Sequence, residues 1–393
     1  MFARSKFKIP MVASSAVLAL LLTLSGCSAT ESDVGILDDD NEPITFLVED
    51  DDMYGNTRGK YESAKQFSTY AIYSYYTSNN NLYMANAMMT KQDDGSWLSS
   101  RTVSFPGKKA LDFYAMKPGF QRSDVQELNM STASERSFVH TLPNINAQQT
   151  DFMFASLMDK TKETTGGVVK FKFKHLFAYL RFQGQLTKEG INVKVHSITL
   201  HNLKSTGKFS FSLTDVNGGS WELSDAKDNY TYELPADYDL TEQMLLMHPR
   251  DSMLFIMAQN PEIFDLNDGT FANADVDGNK KAYLEVKCRV WKMDDDGSGG
   301  QVARYIGCSE TTWATVYYPL DTKTTQWQTS LYPFAGTFNV NINFSGGYTY
   351  EGEDFLSKYT NDELQMSSLE PVTSELVTVP WADDATNSVE FDL

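Results

Sequence analysis

The feature that most limits what this chain can fold into is a recurring short stretch of aromatic and β-branched residues, cut off each time by Gly, Asp or Asn. Residues 67–76 (Phe-Ser-Thr-Tyr-Ala-Ile-Tyr-Ser-Tyr-Tyr) form the densest example. Others run over 111–116, 168–173, 176–182, 193–200, 208–213, 253–257, 282–291, 312–318 and 337–344. Residues of this kind suit a pleated, half-buried surface, and strand side chains point to alternate faces with period two. Asp94-Gly95, Asp268-Gly269, Asp277-Gly278 and Asp296-Gly297 lie between the stretches and are predicted hairpin turns, because Gly accepts the positive φ of tight turns. Long helical periodicity is scarce. The pattern predicts an all-β protein of short antiparallel strands packed as sandwiches.

The first residues carry Arg4, Lys6 and Lys8 without an acid, and an apolar run follows over 11–24. That run is shorter than the roughly 20 residues a helix needs to cross a bilayer core. With Leu24-Ser25-Gly26-Cys27 behind it, which resembles the lipobox of bacterial lipoproteins, it is predicted to be an export signal over 1–26 with Cys27 as the acylated, lipid-anchored first residue. Residues 27–58 are acidic and sparse in apolar residues, a tether or propeptide with one short strand. Thr164-Thr165-Gly166-Gly167 breaks the pattern and is the predicted boundary between β-sandwich domains at 59–165 and 168–393. The stretch 348–369 is a long polar connection before the last strands. Lys plus Arg number 33 against 52 acids, a formal charge of −19, and such a surface repels nucleic acid.

The two ends share a pattern. Ile44, Phe46 and Val48 fall on one face of an extended strand, and so do Val389, Phe391 and Leu393, with Glu390 and Asp392 on the other face. Each is the edge of its own sandwich or a strand that fills the groove of another subunit, where the backbone supplies hydrogen bonds and alternate side chains fill pockets.

Catalytic signals are few. His196 and His201 are five apart in a predicted strand and are expected on opposite faces; His140, His175 and His248 have no acid or cysteine at ligand spacing. No GxSxG, HExxH, P-loop or GxGxxG pattern occurs. Asp294-Asp295-Asp296-Gly297-Ser298-Gly299 and Asp275-Val276-Asp277-Gly278-Asn279 resemble calcium loops, but Tyr305 and Val286 stand where a bidentate Glu belongs, so hairpin tips are expected and no metal or cofactor is assigned. Beyond Cys27 only Cys288 and Cys308 remain. They flank the 294–300 tip, slightly out of line in a strict register, and a disulfide between them stays open. The aromatic residues, 13% of the chain, are expected to fill sandwich cores rather than to stack on sugars.

Several segments in order resemble the fimbrillin family, the Mfa-like type V pilins of Bacteroidales. They are the box at Cys27, Asn56-Thr57-Arg58-Gly59, the 67–76 strand, Tyr83-Met84-Ala85-Asn86, Asp94-Gly95-Ser96-Trp97 and Leu111-Asp112-Phe113-Tyr114-Ala115 before Pro118. They continue with Asp151-Phe152-Met153-Phe154-Ala155, the 173–182 strand, Ile198-Thr199-Leu200, Gly207-Lys208-Phe209 and Val377-Thr378-Val379-Pro380-Trp381. The resemblance implies two transthyretin-like β-sandwich domains in tandem and a non-enzymatic subunit of surface fimbriae. It also implies a precursor anchored in the outer membrane through Cys27 and cleavage after an arginine by an Arg-specific protease, which removes the N-terminal strand and opens a groove for a strand of another fimbrial subunit, either the one with Val389, Phe391 and Leu393 or the strand ending at Trp381. Arg58 is the matching position, with Lys60 as a nearby competitor. Two rival readings are a permanently anchored accessory lipoprotein of the same family and a surface lipoprotein that binds a host or bacterial glycan. A hydrolase with two carboxylates facing in a cleft is a third.

Overall fold

Strands with an apolar face pair and stack until that face is covered, and a strand apolar on both faces needs a layer on each side. The 67–76 stretch is of the second kind, and its position in the fold follows from that. The computed structural model describes residues 42–49, 68–249, 252–328, 336–361 and 371–378. In it, β2 (Thr69–Tyr76) lies inside a six-stranded sheet of order β10 (Lys174–His175), β8 (Met153–Lys160), β5 (Leu111–Lys117), β2, β3 (Leu82–Lys91) and β4 (Trp97–Ser99). Every pairing in this sheet is antiparallel. Along β2 the side chains alternate between two cores: Tyr70 and Ile72 enter one, Ala71, Tyr73 and Tyr75 the other.

One face of the six-stranded sheet is covered by a four-stranded sheet of order β14 (Gly219–Leu223), β13 (Thr206–Phe211), β7 (Ser137–Thr141) and β6 (Gln126–Asn129). Tyr114 of β5 meets Phe211 edge-on at 5.6 Å, and Phe154 of β8 meets Phe209 at 5.1 Å. The other face is covered by a two-stranded parallel sheet of β1 (Thr45–Val48) and β9 (Val168–Phe171). Chain order and packing therefore part company, because the 206–223 hairpin follows residue 168 in sequence but pairs with β7.

A second sandwich is built from two five-stranded sheets. One has the order β16 (Leu245–Leu246), β11 (Ala178–Leu186), β21 (Gly336–Phe344), β22 (Thr373–Thr378), with β17 (Leu254–Ile256) also on β11. The other has the order β15 (Lys227–Asp239), β12 (Asn192–Lys204), β18 (Tyr283–Asp295), β19 (Gln301–Tyr305), with β20 (Ala314–Tyr318) also on β18. Phe182 against Tyr232 at 5.5 Å and Tyr318 against Phe344 at 6.1 Å join the two layers. One hydrophobic cluster runs from Tyr73 and Tyr114 through Phe177 and Phe182 to Val340 and Val372, so the two sandwiches share a continuous core.

Two local expectations are corrected. Asp94-Gly95 turns β3 into β4 and Asp296-Gly297 tips the β18–β19 hairpin, but Asp268-Gly269 and Asp277-Gly278 lie in the connection from β17 to β18. There Asp265 caps a 3₁₀ turn over Leu266–Asp268 by accepting the Asn267 N–H, which ends in Gly269. His196 and His201 share the outer face of β12, because a bulge between Val195 and Ser197 adds a residue and reverses the alternation. Their partners differ: His196 Nδ1 lies 2.8 Å from Asp237 Oδ1, and His201 Nε2 lies 2.9 Å from Glu285 Oε2.

Candidate functional site

β1 is a strand for reasons legible in six residues. Pro43 sets an extended entry, and the apolar side chains recur every second residue after it. Ile44 and Phe46 are 6% and 2% exposed, Val48 packs half-buried against the same cluster, and Thr45 between them is exposed. Phe46 meets Phe113 of the six-stranded sheet edge-on at 6.0 Å and stacks on Phe171 of β9 at 6.2 Å. Tyr70, Ile72, Phe105, Leu111, Val169 and Phe173 complete the pocket.

The backbone of β1 is held from both sides. Ile44 N–H donates to Val103 O at 2.7 Å, Thr45 N–H to Gly167 O at 2.9 Å and Glu49 N–H to Phe171 O at 2.8 Å. A bridge between Pro43 and Ser104 and an ion pair from Lys162 to Glu42 at 3.8 Å fix its start. Burial of each large apolar side chain is worth about 1.5–3 kcal/mol, and each net hydrogen bond about 1 kcal/mol, so the plugs contribute most of the holding energy. The site is therefore a groove lined by Phe113, Phe171 and their neighbours and filled by a four-residue strand from ahead of the sandwich. Val103, Gly167 and Phe171, which supply its backbone partners, were not apparent from the sequence. Their role is to accept hydrogen bonds through carbonyls, which carry no side-chain signature.

Cys27, Arg58, Val389, Phe391 and Leu393 lie outside the described residues. Cys288 and Cys308 are both free thiols. The β18–β19 register pairs Trp291 with Tyr305 and Asp295 with Gln301, and continued along β18 it sets Cys288 level with Cys308 rather than out of line. The chain leaves the ladder after Ile306, however, and turns at Gly307 with φ +64, where an added Cβ would meet the Phe355 ring at 2.7 Å. Ala314 of β20 takes the place opposite Cys288, and Cys308 Sγ rests 3.5 Å from the Val290 carbonyl. Burial pushes the Cys288 thiol pKa up.

The acids of the two calcium-like loops serve the protein's own turns and loops. Asp296 Oδ1 accepts from Ser298 N–H at 2.8 Å, Ser298 Oγ at 2.7 Å and Gly300 N–H at 3.0 Å. Asp275 accepts from the Tyr283 and Tyr350 hydroxyls at 2.8 and 2.6 Å and from the Asn202 amide at 2.7 Å, and despite burial these bonds hold its carboxyl below the usual range. The buried histidines are likewise committed to the fold. His248 Nε2 accepts the Phe182 N–H at 2.9 Å, which leaves Nδ1 to donate to Pro249 O at 2.9 Å. His140 Nδ1 donates to Asp124 O at 2.7 Å, and burial pushes its pKa down. His175 Nδ1 and the Tyr179 hydroxyl converge on the buried Asp151 carboxylate at 3.0 and 2.7 Å.

A fimbrial protein from Bacteroides vulgatus has the same fold at a TM-score of 0.52 and 13% identity, with 77% of this chain and 95% of that one covered. The fimbrial anchor protein Mfa2 from Porphyromonas gingivalis aligns at a TM-score of 0.29 and 8% identity, over 76% of this chain and 88% of that one. No curated protein sequence matches the chain. The family model described as fimbrillin-like matches residues 55–368. With most of its length inside that match, the chain belongs to the fimbrillin-like family and is a structural or adhesive subunit of cell-surface fimbriae.

Proposed function

We propose that this subunit polymerises by strand exchange through the β1 groove. The observation that supports this most is that Ile44, Phe46 and Val48 plug a sandwich core from a segment that precedes Arg58 in sequence. On this reading the precursor is exported as an outer-membrane lipoprotein acylated at Cys27, with its groove closed by its own strand. An Arg-specific protease cuts after Arg58, β1 leaves, and Phe113, Phe171 and their neighbours are exposed. A strand of another fimbrial subunit then enters, with Val389, Phe391 and Leu393 as its plugs. The mature subunit is residues 59–393, and its role is structural or adhesive rather than enzymatic.

The test is to cleave purified precursor with an Arg-specific protease and run it unheated on a denaturing gel. Ladders that collapse to one band on boiling are expected, with Gly59 as the new N-terminus by sequencing. A cleaved protein that stays monomeric alone and with other fimbrial subunits would count against the proposal.

A further inference from the structure

We infer that the strand replacing β1 is the acidic 388–393 segment of a second copy of this chain, selected by a lysine strip beside the groove in which Lys170 faces Asp392. The inference rests on the strand-exchange reading above and adds the chemistry by which the groove chooses its occupant.

Two processed copies of this chain, which keeps an excess of acids after residue 58, repel one another, so they meet best where the local sign is reversed. The run 160–174 is such a place, because it holds Lys160, Lys162, Lys170, Lys172 and Lys174 against Glu163 alone. Lys170, Lys172 and Lys174 alternate with the buried Phe171, Phe173 and His175, so they stand on the side away from the core. This is the side on which β1 shows its outward residues.

The chain's own β1 meets the strip with acids only at its two ends. Glu42 reaches Lys162 at 3.8 Å, and the β1–β9 register, continued one residue past Val48, sets Glu49 beside Lys172. Between them Leu47 pairs with Lys170. Lys170 is exposed and has no ion-pair partner among the described residues. When Val389, Phe391 and Leu393 are set in the positions of Ile44, Phe46 and Val48, Glu390 falls at Thr45 and Asp392 falls at Leu47. The incoming strand thus brings a carboxylate to Lys170, where the departing strand had a leucine. An exposed pair of this kind gives a modest gain in affinity and a salt-dependent gain in the rate and register of docking.

A charge swap tests this on the full chain. Lys170→Glu, Asp392→Lys and the double variant are cleaved after Arg58, and assembly is timed at low and at about 0.5 M salt, where screening is nearly complete. Each single variant is expected to assemble about two- to fivefold more slowly at low salt, the double variant to recover, and all to converge at high salt. The precursors should melt together, because Lys170 is exposed. Lys170→Glu assembling at the wild-type rate, or a double variant that does not recover, would overturn the inference and leave strand exchange standing. Assembly only after a different fimbrial subunit is added would overturn the second copy as occupant. Failure of the wild type to take up a strand from either source would overturn the strand-exchange reading as well.

Discussion

Among the described residues two strand pairs run parallel, and they are held very differently. β21 lies between β11 and β22, matches β11 over nine consecutive pairs from Ala178–Gly336 to Leu186–Phe344, and buries Phe338, Val340, Ile342 and Phe344. β1 matches β9 over four pairs and adds a few hydrogen bonds at its ends. A central strand paired on both sides opens only when the sandwich itself opens. A four-residue strand held mainly by side-chain plugs has fewer contacts to break. On the strand-exchange proposal the same parallel geometry therefore serves permanence in one place and removal in the other, and strand length and hydrogen-bonded neighbours decide which.

The largest effect should come from the permanent pair. Val340→Asp places an unpaired charge at a fully buried position and is expected to abolish folding, with loss of the sheet signal in circular dichroism. Phe46→Ala in the precursor should cost about 3–5 kcal/mol, but only at the groove. Hydrogen exchange should then be fast at the Thr45 and Glu49 amides and unchanged along Ala178–Leu186. Equal loss of protection in both regions would abolish the distinction.

Acid should act next, through β7 in the four-stranded layer of the first sandwich. Burial holds the His140 pKa below its ordinary value, so below about pH 6.5 the unfolded chain takes up a proton that the folded one resists. Stability is expected to fall as pH drops through that window, with a slope from this group of at most about 1.4 kcal/mol per pH unit, and to be indifferent to this group above it. His140→Phe should flatten the pH dependence of the urea midpoint. The smallest effect is expected from Glu42→Gln, which removes an exposed ion pair worth about 0–1 kcal/mol and should raise β1 opening by a fewfold at most in the same exchange measurement.

The period-two pattern made β1 legible, because a short strand with plugs on one face needs only local alternation. The aromatic density of 67–76 made β2 legible as a strand, but its burial on both faces came only from the sheets that cover it. The reversal at His196 was not legible, because a bulge is set by the partner strands β15 and β18 and not by the six residues around it. Nor was the pairing of 206–211 with β7, which joins segments far apart in sequence whose hydrogen bonds leave no compositional trace. Asp268-Gly269 and Asp277-Gly278 misled for a related reason, since the same dipeptides that tip hairpins also terminate capped turns. At the groove, the plugs of β1 were readable and its carbonyl partners were not.

The pairing of Thr45 with Val168 also bears on the order of events during folding. β1 and its parallel neighbour β9 are separated in the chain by β2, β3, β4, β5 and β8 of the six-stranded sheet. Contacts this distant in sequence form late, after local hairpins such as β2–β3. Val169 and Phe171 of β9 also line the groove, so the cleft and the edge that receives its plug are completed together. Keeping the plug on the same chain gives it a high effective concentration at that moment, so self-closure is favoured over capture of a strand from another chain.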